Sequence, residues 1–107
     1  MEPTPLLVLT TLATEADARA LVRALVEQRL VACGTLLAGA RSLYRWEGAL
    51  TEASEVVVLL KTDASRWEAL AAAVRQRHPY QVPELLAVPV TRGLEAYLAW
   101  LAGEVAP

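Results

Sequence analysis

The segment His78-Pro79-Tyr80-Gln81-Val82-Pro83-Glu84 puts reactive groups on a stiff frame: the only histidine of the chain, a phenol, a carboxylate and two of the six prolines. Imidazole titrates near neutral pH and binds transition metals, and a nearby carboxylate can share a cation with it. Each proline fixes its own φ and pushes the preceding residue toward extended backbone, so these side chains project in repeatable directions. Two other residues stand out by rarity, Cys33 as the single cysteine and Lys61 as the only lysine among ten Lys and Arg residues. A copper or zinc ion would choose Cys33 and His78, because thiolate and imidazole suit these metals, with a carboxylate such as Glu84 or Glu47 completing the set. Cys33 and His78 lie 45 positions apart, with no local ligand motif such as Cys-x-x-Cys between them. The competing reading makes Cys33 a small buried hydrophobe at a strand start and His78 a helix C-cap suited to the helix dipole. Lys61, Tyr80 and Glu84 form a second grouping, a small-molecule pocket in which Lys61 meets an anion and Tyr80 hydrogen-bonds to it. An ordinary ion pair between Lys61 and a carboxylate is the alternative.

Positioning these groups takes a particular order of elements. Leu6 to Leu12 reads as a buried strand. From Thr14 to Leu30 the apolar residues Ala18, Leu21, Val22, Leu25 and Val26 follow helical spacing, with Glu15, Arg19, Arg23 and Glu27 on another face. Val31 to Leu37 resumes strand character, Gly39 marks a bend or bulge, and Arg41 to Trp46 alternates. Glu47-Gly48 supplies a turn and Glu55 to Thr62 another strand, giving a long hairpin with Tyr44 and Trp46 near its tip. Ser65-Arg66-Trp67-Glu68 matches a capping box with Ser65 at the N-cap, and the helix it opens carries Trp67, Leu70, Ala71, Val74 and His78 on one stripe. Glu84 to Thr91 reads as a strand that Pro89 restricts to an edge or bulge, and Leu94 to Leu101 as a closing helix. The order β-α-β-β-α-β plus a C-terminal helix predicts a ferredoxin-like α+β domain, with two helices on one face of an antiparallel sheet.

Composition narrows the classes of function. At 107 residues the chain suits one domain, 1–107. Its net charge of −2 offers no basic field for a phosphate backbone, so no nucleic-acid partner is expected. Nor is a membrane span, since no stretch reaches about 18 apolar residues. The hydrophobic share of 55 % exceeds what a small monomer easily buries, which points to self-association. A lone cysteine and the absence of a basic signal-like start suit the cytoplasm.

Several fragments together resemble one family. Val31-Ala32-Cys33, Tyr44-Arg45-Trp46-Glu47-Gly48, Glu55 through Lys61-Thr62, His78 through Glu84 and Tyr97 through Trp100 are similar, in order and spacing, to the CutA divalent-cation-tolerance family. The resemblance implies a ferredoxin-like fold, a compact homotrimer like that of PII-type signalling proteins, and a link to copper and other divalent metals. There are two departures. Gly34-Thr35 follow Cys33 where the family usually has a residue and then asparagine, and Gln81 stands where it often has glutamate, which removes an anionic oxygen. Acylphosphatase chemistry, which uses the same fold class, wants a phosphate-cradling loop with arginine after the first strand, and Thr10 to Thr14 has neither glycine nor arginine. An RNA-recognition sheet wants stacking aromatics where the central strands here are aliphatic. The expectation is a cytoplasmic, non-catalytic homotrimer tied to divalent-metal tolerance. It requires no cofactor, and copper or another divalent ion is a candidate ligand at an inter-subunit cleft. The alternative is a PII-like regulatory or scaffold trimer that binds a small anionic ligand or a partner protein.

Overall fold

The computed structural model describes residues 2–107. The elements run β1 (Pro5–Leu12), α1 (Glu15–Glu27), β2 (Cys33–Trp46), β3 (Ala49–Asp63), a short 3-10 turn (Ala64–Arg66), α2 (Trp67–Arg77), β4 (Leu86–Pro89) and α3 (Glu95–Val105). The strands form one antiparallel sheet in the order β2-β3-β1-β4, the ferredoxin-like arrangement expected. Pro89 lies in the edge strand β4, where its missing N–H costs no ladder bond on the open side.

Helix α1 starts where Thr14, in extended backbone, accepts a hydrogen bond from the Asp17 amide at 3.1 Å. It stops at Glu27 rather than Leu30, because Arg29 turns left-handed (φ 58°) and the Leu30 amide bonds back to the Leu25 carbonyl at 3.0 Å. This closure satisfies the last carbonyls of the helix and tucks Leu30 into the core.

The capping box expected at Ser65 is not what opens α2. Asp63, extended at φ −136° and ψ 172°, accepts from the Ser65 amide at 2.9 Å and from the Ser65 hydroxyl, which initiates the 3-10 turn. An ionised carboxylate is a stronger acceptor than a serine hydroxyl, so the cap moves two residues upstream and Ser65 becomes a donor. Helix α2 itself begins at Trp67, without a side-chain cap.

The main core lies between the two helices and one face of the sheet. Val8, Leu12, Val56, Val58 and Leu60 pack against Leu21, Leu25, Leu70 and Val74. Helix α1 approaches β2 so closely that a Cβ on Gly34 would stand 2.7 Å from Val22 Cγ1. A satellite cluster of Ala32, Leu101 and Val105 docks α3, reinforced by Arg29 bonding the Glu104 carboxylate at 3.3 Å.

Only Val56 to Asp63 of β3 pairs with β1, beginning where Leu12 meets Val56, so the outer half of the β2–β3 hairpin pairs only with itself. Its turn, Glu47 (φ 49°) and Gly48 (φ 81°), has positive φ at both central positions, the geometry that matches strand twist in two-residue hairpins. Gly39 (φ 86°) sits in a bulge between Leu37 and Ala40 that bends this arm. The result is an elongated molecule of 46 × 25 × 22 Å. Its radius of gyration is 14.5 Å, against about 13 Å for a compact chain of this length.

The register places Leu7, Leu9, Val57, Leu59, Leu86 and Val88 on the sheet face turned away from the core helices. Leu86 and Val88 are 60 % and 51 % exposed, and Leu43, Tyr44, Trp46 and Leu50 on the arm are exposed as well. This is the unburied apolar surface that the composition implied.

Candidate functional site

The His78–Glu84 segment carries the chain from the end of α2 to β4 across the root of the arm. His78 closes α2, its amide donating to the Val74 carbonyl at 2.8 Å, and then turns extended (ψ 132°) as a residue before proline must. Its ring is buried. Nδ1 accepts the Tyr80 amide hydrogen at 3.1 Å, which requires the neutral ring with the proton on Nε2, and Nε2–H then donates to the Thr11 carbonyl at 2.8 Å. His78 therefore pins the segment to β1.

Tyr80, held in this way, lies 4.7 Å from the His78 ring centroid to centroid. Its hydroxyl donates to Glu55 Oε2 at 2.8 Å. Glu55 is only 8 % exposed, yet its carboxyl lies below its ordinary value: burial acts to raise it, while the nearby Ser42, Tyr80 and Thr11 hydroxyls favour the charged form and outweigh burial. The Tyr80 phenol is pushed up by burial and by the Glu55 carboxylate, so it stays a donor across the physiological range.

Glu55, Tyr80 and Ser42 line a cleft of about 630 Å³ with Thr11, Leu43, Tyr44, Trp46, Gln81, Val82 and Glu84. The size is typical of small-molecule sites. Both charged side chains in the lining are carboxylates. A small anion would meet repulsion here, which removes support for the anionic-ligand alternative.

The expected site residues are divided among three places. Tyr80 and Glu84 line the cleft. Lys61 does not: it shares the bare sheet face, where its ammonium donates to Thr35 Oγ1 at 2.7 Å and forms no ion pair among the described residues. Cys33 pairs with Lys61 across β2 and β3, and its sulfur lies 3.9 Å from the Tyr97 hydroxyl of α3. That phenol is raised by burial and by the Cys33 side chain.

The proposed metal set of Cys33, His78 and Glu84 does not converge within one chain, and no cluster of three or more His, Cys, Asp or Glu side chains occurs among the described residues. His78 has no free lone pair, because one nitrogen already accepts and the other donates. Both its partners are backbone groups, so it activates no nucleophile.

Glu55 was missed in the sequence, where it read merely as the start of a strand. A signal was available: counting by two puts Glu55 on the same face as Val57, Leu59 and Lys61, so a carboxylate stands at the end of a nearly apolar row.

Fold and cleft together define a class: a ferredoxin-like α+β domain with a projecting hairpin arm and a ligand-sized cleft at its root. Comparison with known proteins carries the assignment further. Residues 6–104 match the profile described as CutA1 divalent ion tolerance protein. The divalent-cation tolerance protein CutA of Pectobacterium atrosepticum is 51 % identical over 94 residues, covering 88 % of this chain and 86 % of its own. Among solved structures, CutA from Xylella fastidiosa superimposes with a TM-score of 0.94 at 38 % identity, covering 96 % of this chain and 99 % of its own. The divalent cation tolerance protein of Thermus thermophilus does so with a TM-score of 0.92 at 39 % identity, covering 95 % and 99 %. The chain belongs to the CutA1 divalent ion tolerance family.

Proposed function

We propose that this protein serves divalent-cation tolerance as a non-catalytic cytoplasmic homotrimer whose contact with copper or a similar ion lies at the junctions between subunits. One observation supports the assembly above the rest: the sheet face opposite the core helices is apolar and uncovered, and it runs on into an arm that carries exposed Tyr44 and Trp46. Covering large apolar side chains of this kind contributes roughly 1.5 to 3 kcal/mol each, enough to drive association. The number of copies, three, is the one that the family resemblance implies.

Among the described residues no three His, Cys, Asp or Glu side chains lie together, so in this reading the metal donors come from more than one subunit. Glu84 is exposed at the cleft and Cys33 is partly exposed at the start of β2, so a junction that joins the two regions would unite a carboxylate with a thiolate. His78 is not part of this set, since binding through it would break the link between β1 and Tyr80. The non-catalytic reading is supported by the backbone partners of His78, and the cytoplasmic one by the single unpaired cysteine. Among the described residues no helix is long and apolar enough to cross a membrane.

Native mass spectrometry of metal-free protein, followed by titration with copper, zinc and nickel, tests assembly and metal stoichiometry together. A trimer that takes up metal in a fixed ratio is expected. A monomer at micromolar concentration would overturn the proposal, and a trimer that takes up no metal would remove its metal-binding part.

A further inference from the structure

Lys61 stands on the apolar sheet face without a counter-ion among the described residues. Its ammonium meets only neutral acceptors, the Thr35 hydroxyl at 2.7 Å and the Leu59 carbonyl at 3.5 Å. Its neighbours across the strands are Leu7 on β1 and Cys33 on β2. In a single chain this costs little, because Lys61 is only partly buried and water reaches the charge. Covering this face with another subunit, as the proposed assembly does, removes that water. A buried ammonium without an anion is costly, so the covering subunit has to supply one.

Two carboxylates lie at the root of the arm. Glu55 is six positions from Lys61 along β3, about 20 Å in an extended strand, and Glu84 lines the same cleft as Glu55. Within one chain the two ends of the face therefore do not meet. The charge on Glu55 is already served by the Tyr80 hydroxyl at 2.8 Å and by the nearby Ser42 and Thr11 hydroxyls. Glu84 is exposed and takes part in no ion pair among the described residues. Opposite charges on two separate patches of one surface suit a head-to-tail contact, the kind that closes into a ring. Cys33 and Lys61 are direct cross-strand partners, with Cβ atoms about 4.5–5.5 Å apart in such pairs. A junction that unites Cys33 with Glu84 thus brings Glu84 to Lys61 as well.

We propose that in the metal-free assembly Lys61 is the counter-ion of Glu84 of the partner subunit, and that a divalent ion bound between that carboxylate and Cys33 displaces it. Each junction then holds one ion pair, which orients the two subunits and sets the ammonium in competition with metal for the same carboxylate oxygens. This inference rests on the subunit junction of the proposed function and names the group that occupies it before metal arrives.

Charge reversal of metal-free protein tests the pair. Lys61→Glu sets two carboxylates against each other and Glu84→Lys two ammoniums, so each is expected to need at least about tenfold more protein to assemble. The double variant restores the pair and should assemble close to the wild-type range. Native mass spectrometry over a dilution series reads all four proteins. Lys61→Gln removes the competing cation and is expected to bind copper about tenfold more tightly in isothermal titration. Circular dichroism establishes that each variant is folded, and if Lys61→Glu does not fold, Glu84→Lys and Lys61→Gln still decide. Single reversals that assemble like wild type, or a folded double variant no better than either single one, would overturn the ion pair. Unchanged copper affinity in Lys61→Gln, or a wild-type trimer that takes up no copper, would overturn the displacement. A wild-type chain that stays monomeric overturns the assembly and this inference with it, whereas a wild-type trimer insensitive to the reversals overturns the inference alone.

Discussion

Replacing Tyr80 with phenylalanine removes one oxygen from the bond that fastens the helix-to-strand segment to β3, and the structure sets the size of the effect. The bond is 2.8 Å long, and its acceptor is a buried carboxylate that lies below the usual range. Hydrogen bonds to charged groups contribute about 1.5–3 kcal/mol to stability. The cleft is open, so water can replace part of what is lost, and the Ser42 and Thr11 hydroxyls remain near Glu55. The lower end, about 1.5 kcal/mol, is therefore expected for Tyr80→Phe. Urea unfolding followed by circular dichroism measures it, at one fixed chain concentration because association couples to stability.

The same bond predicts a pH dependence. Glu55 has a folded value below its reference of 4.5, so its contribution is fully present above 4.5 and is lost as pH falls through the lower folded value. Tyr80→Phe removes one of the interactions that lower Glu55. The gap in stability between wild type and variant should thus be widest near neutrality and close as the solution is acidified below 4.5. A double-mutant cycle with Glu55→Gln isolates the pair and should return a coupling of about 1 kcal/mol or more. Stability equal to wild type, strict additivity in the cycle, or curves that stay parallel down to acid pH would refute the reasoning.

Other outcomes follow from single features of the structure. Gly34→Ala should destabilise by about 1–3 kcal/mol in the same unfolding assay, because the added Cβ meets Val22 at 2.7 Å and Leu60 at 3.0 Å and the core is already close-packed. Thr10→Val should raise the melting temperature, since the buried Thr10 hydroxyl has no hydrogen-bond partner among the described residues and a methyl of the same shape removes a cost of about 1–3 kcal/mol; a lower melting temperature would contradict this. Trp46→Ala should reduce the assembled fraction at low micromolar concentration, and an unchanged oligomer mass would count against the role given to the arm. His78→Ala should cost about 1–3 kcal/mol by leaving the Tyr80 amide and the Thr11 carbonyl without their ring partner, while copper uptake stays as in wild type. Copper uptake lost at pH 7 in a folded variant would restore His78 to the metal set.

The order of elements was legible in the sequence because it rests on local periodicity. The apolar runs of β1 and β3, the alternation from Arg41 to Trp46 in β2, the helical spacing of Ala18, Leu21, Val22 and Leu25, and the glycines at Gly39 and Gly48 all act within a few residues. The ferredoxin-like arrangement and the excess of apolar surface followed from those signals and from composition. Element ends were less legible. Whether Ser65 or Asp63 caps the approach to α2, and whether α1 stops at Glu27 or Leu30, depends on which backbone groups compete for one side chain.

The chemistry of the site was a matter of tertiary structure. Rarity drew attention to His78, Lys61 and Cys33, but reactivity depends on which lone pairs and charges are left over after folding, and that is decided by contacts between distant segments. Folding engages both nitrogens of His78 and leaves Lys61 bonded to Thr35 outside the cleft. It also encloses Glu55, an unremarked strand residue, with Tyr80 from 25 positions away and with no ion pair among the described residues. The sequence by itself determined the scaffold and its surplus of apolar surface, since both are sums over local patterns. Only the tertiary structure decided which groups remain free to meet a ligand.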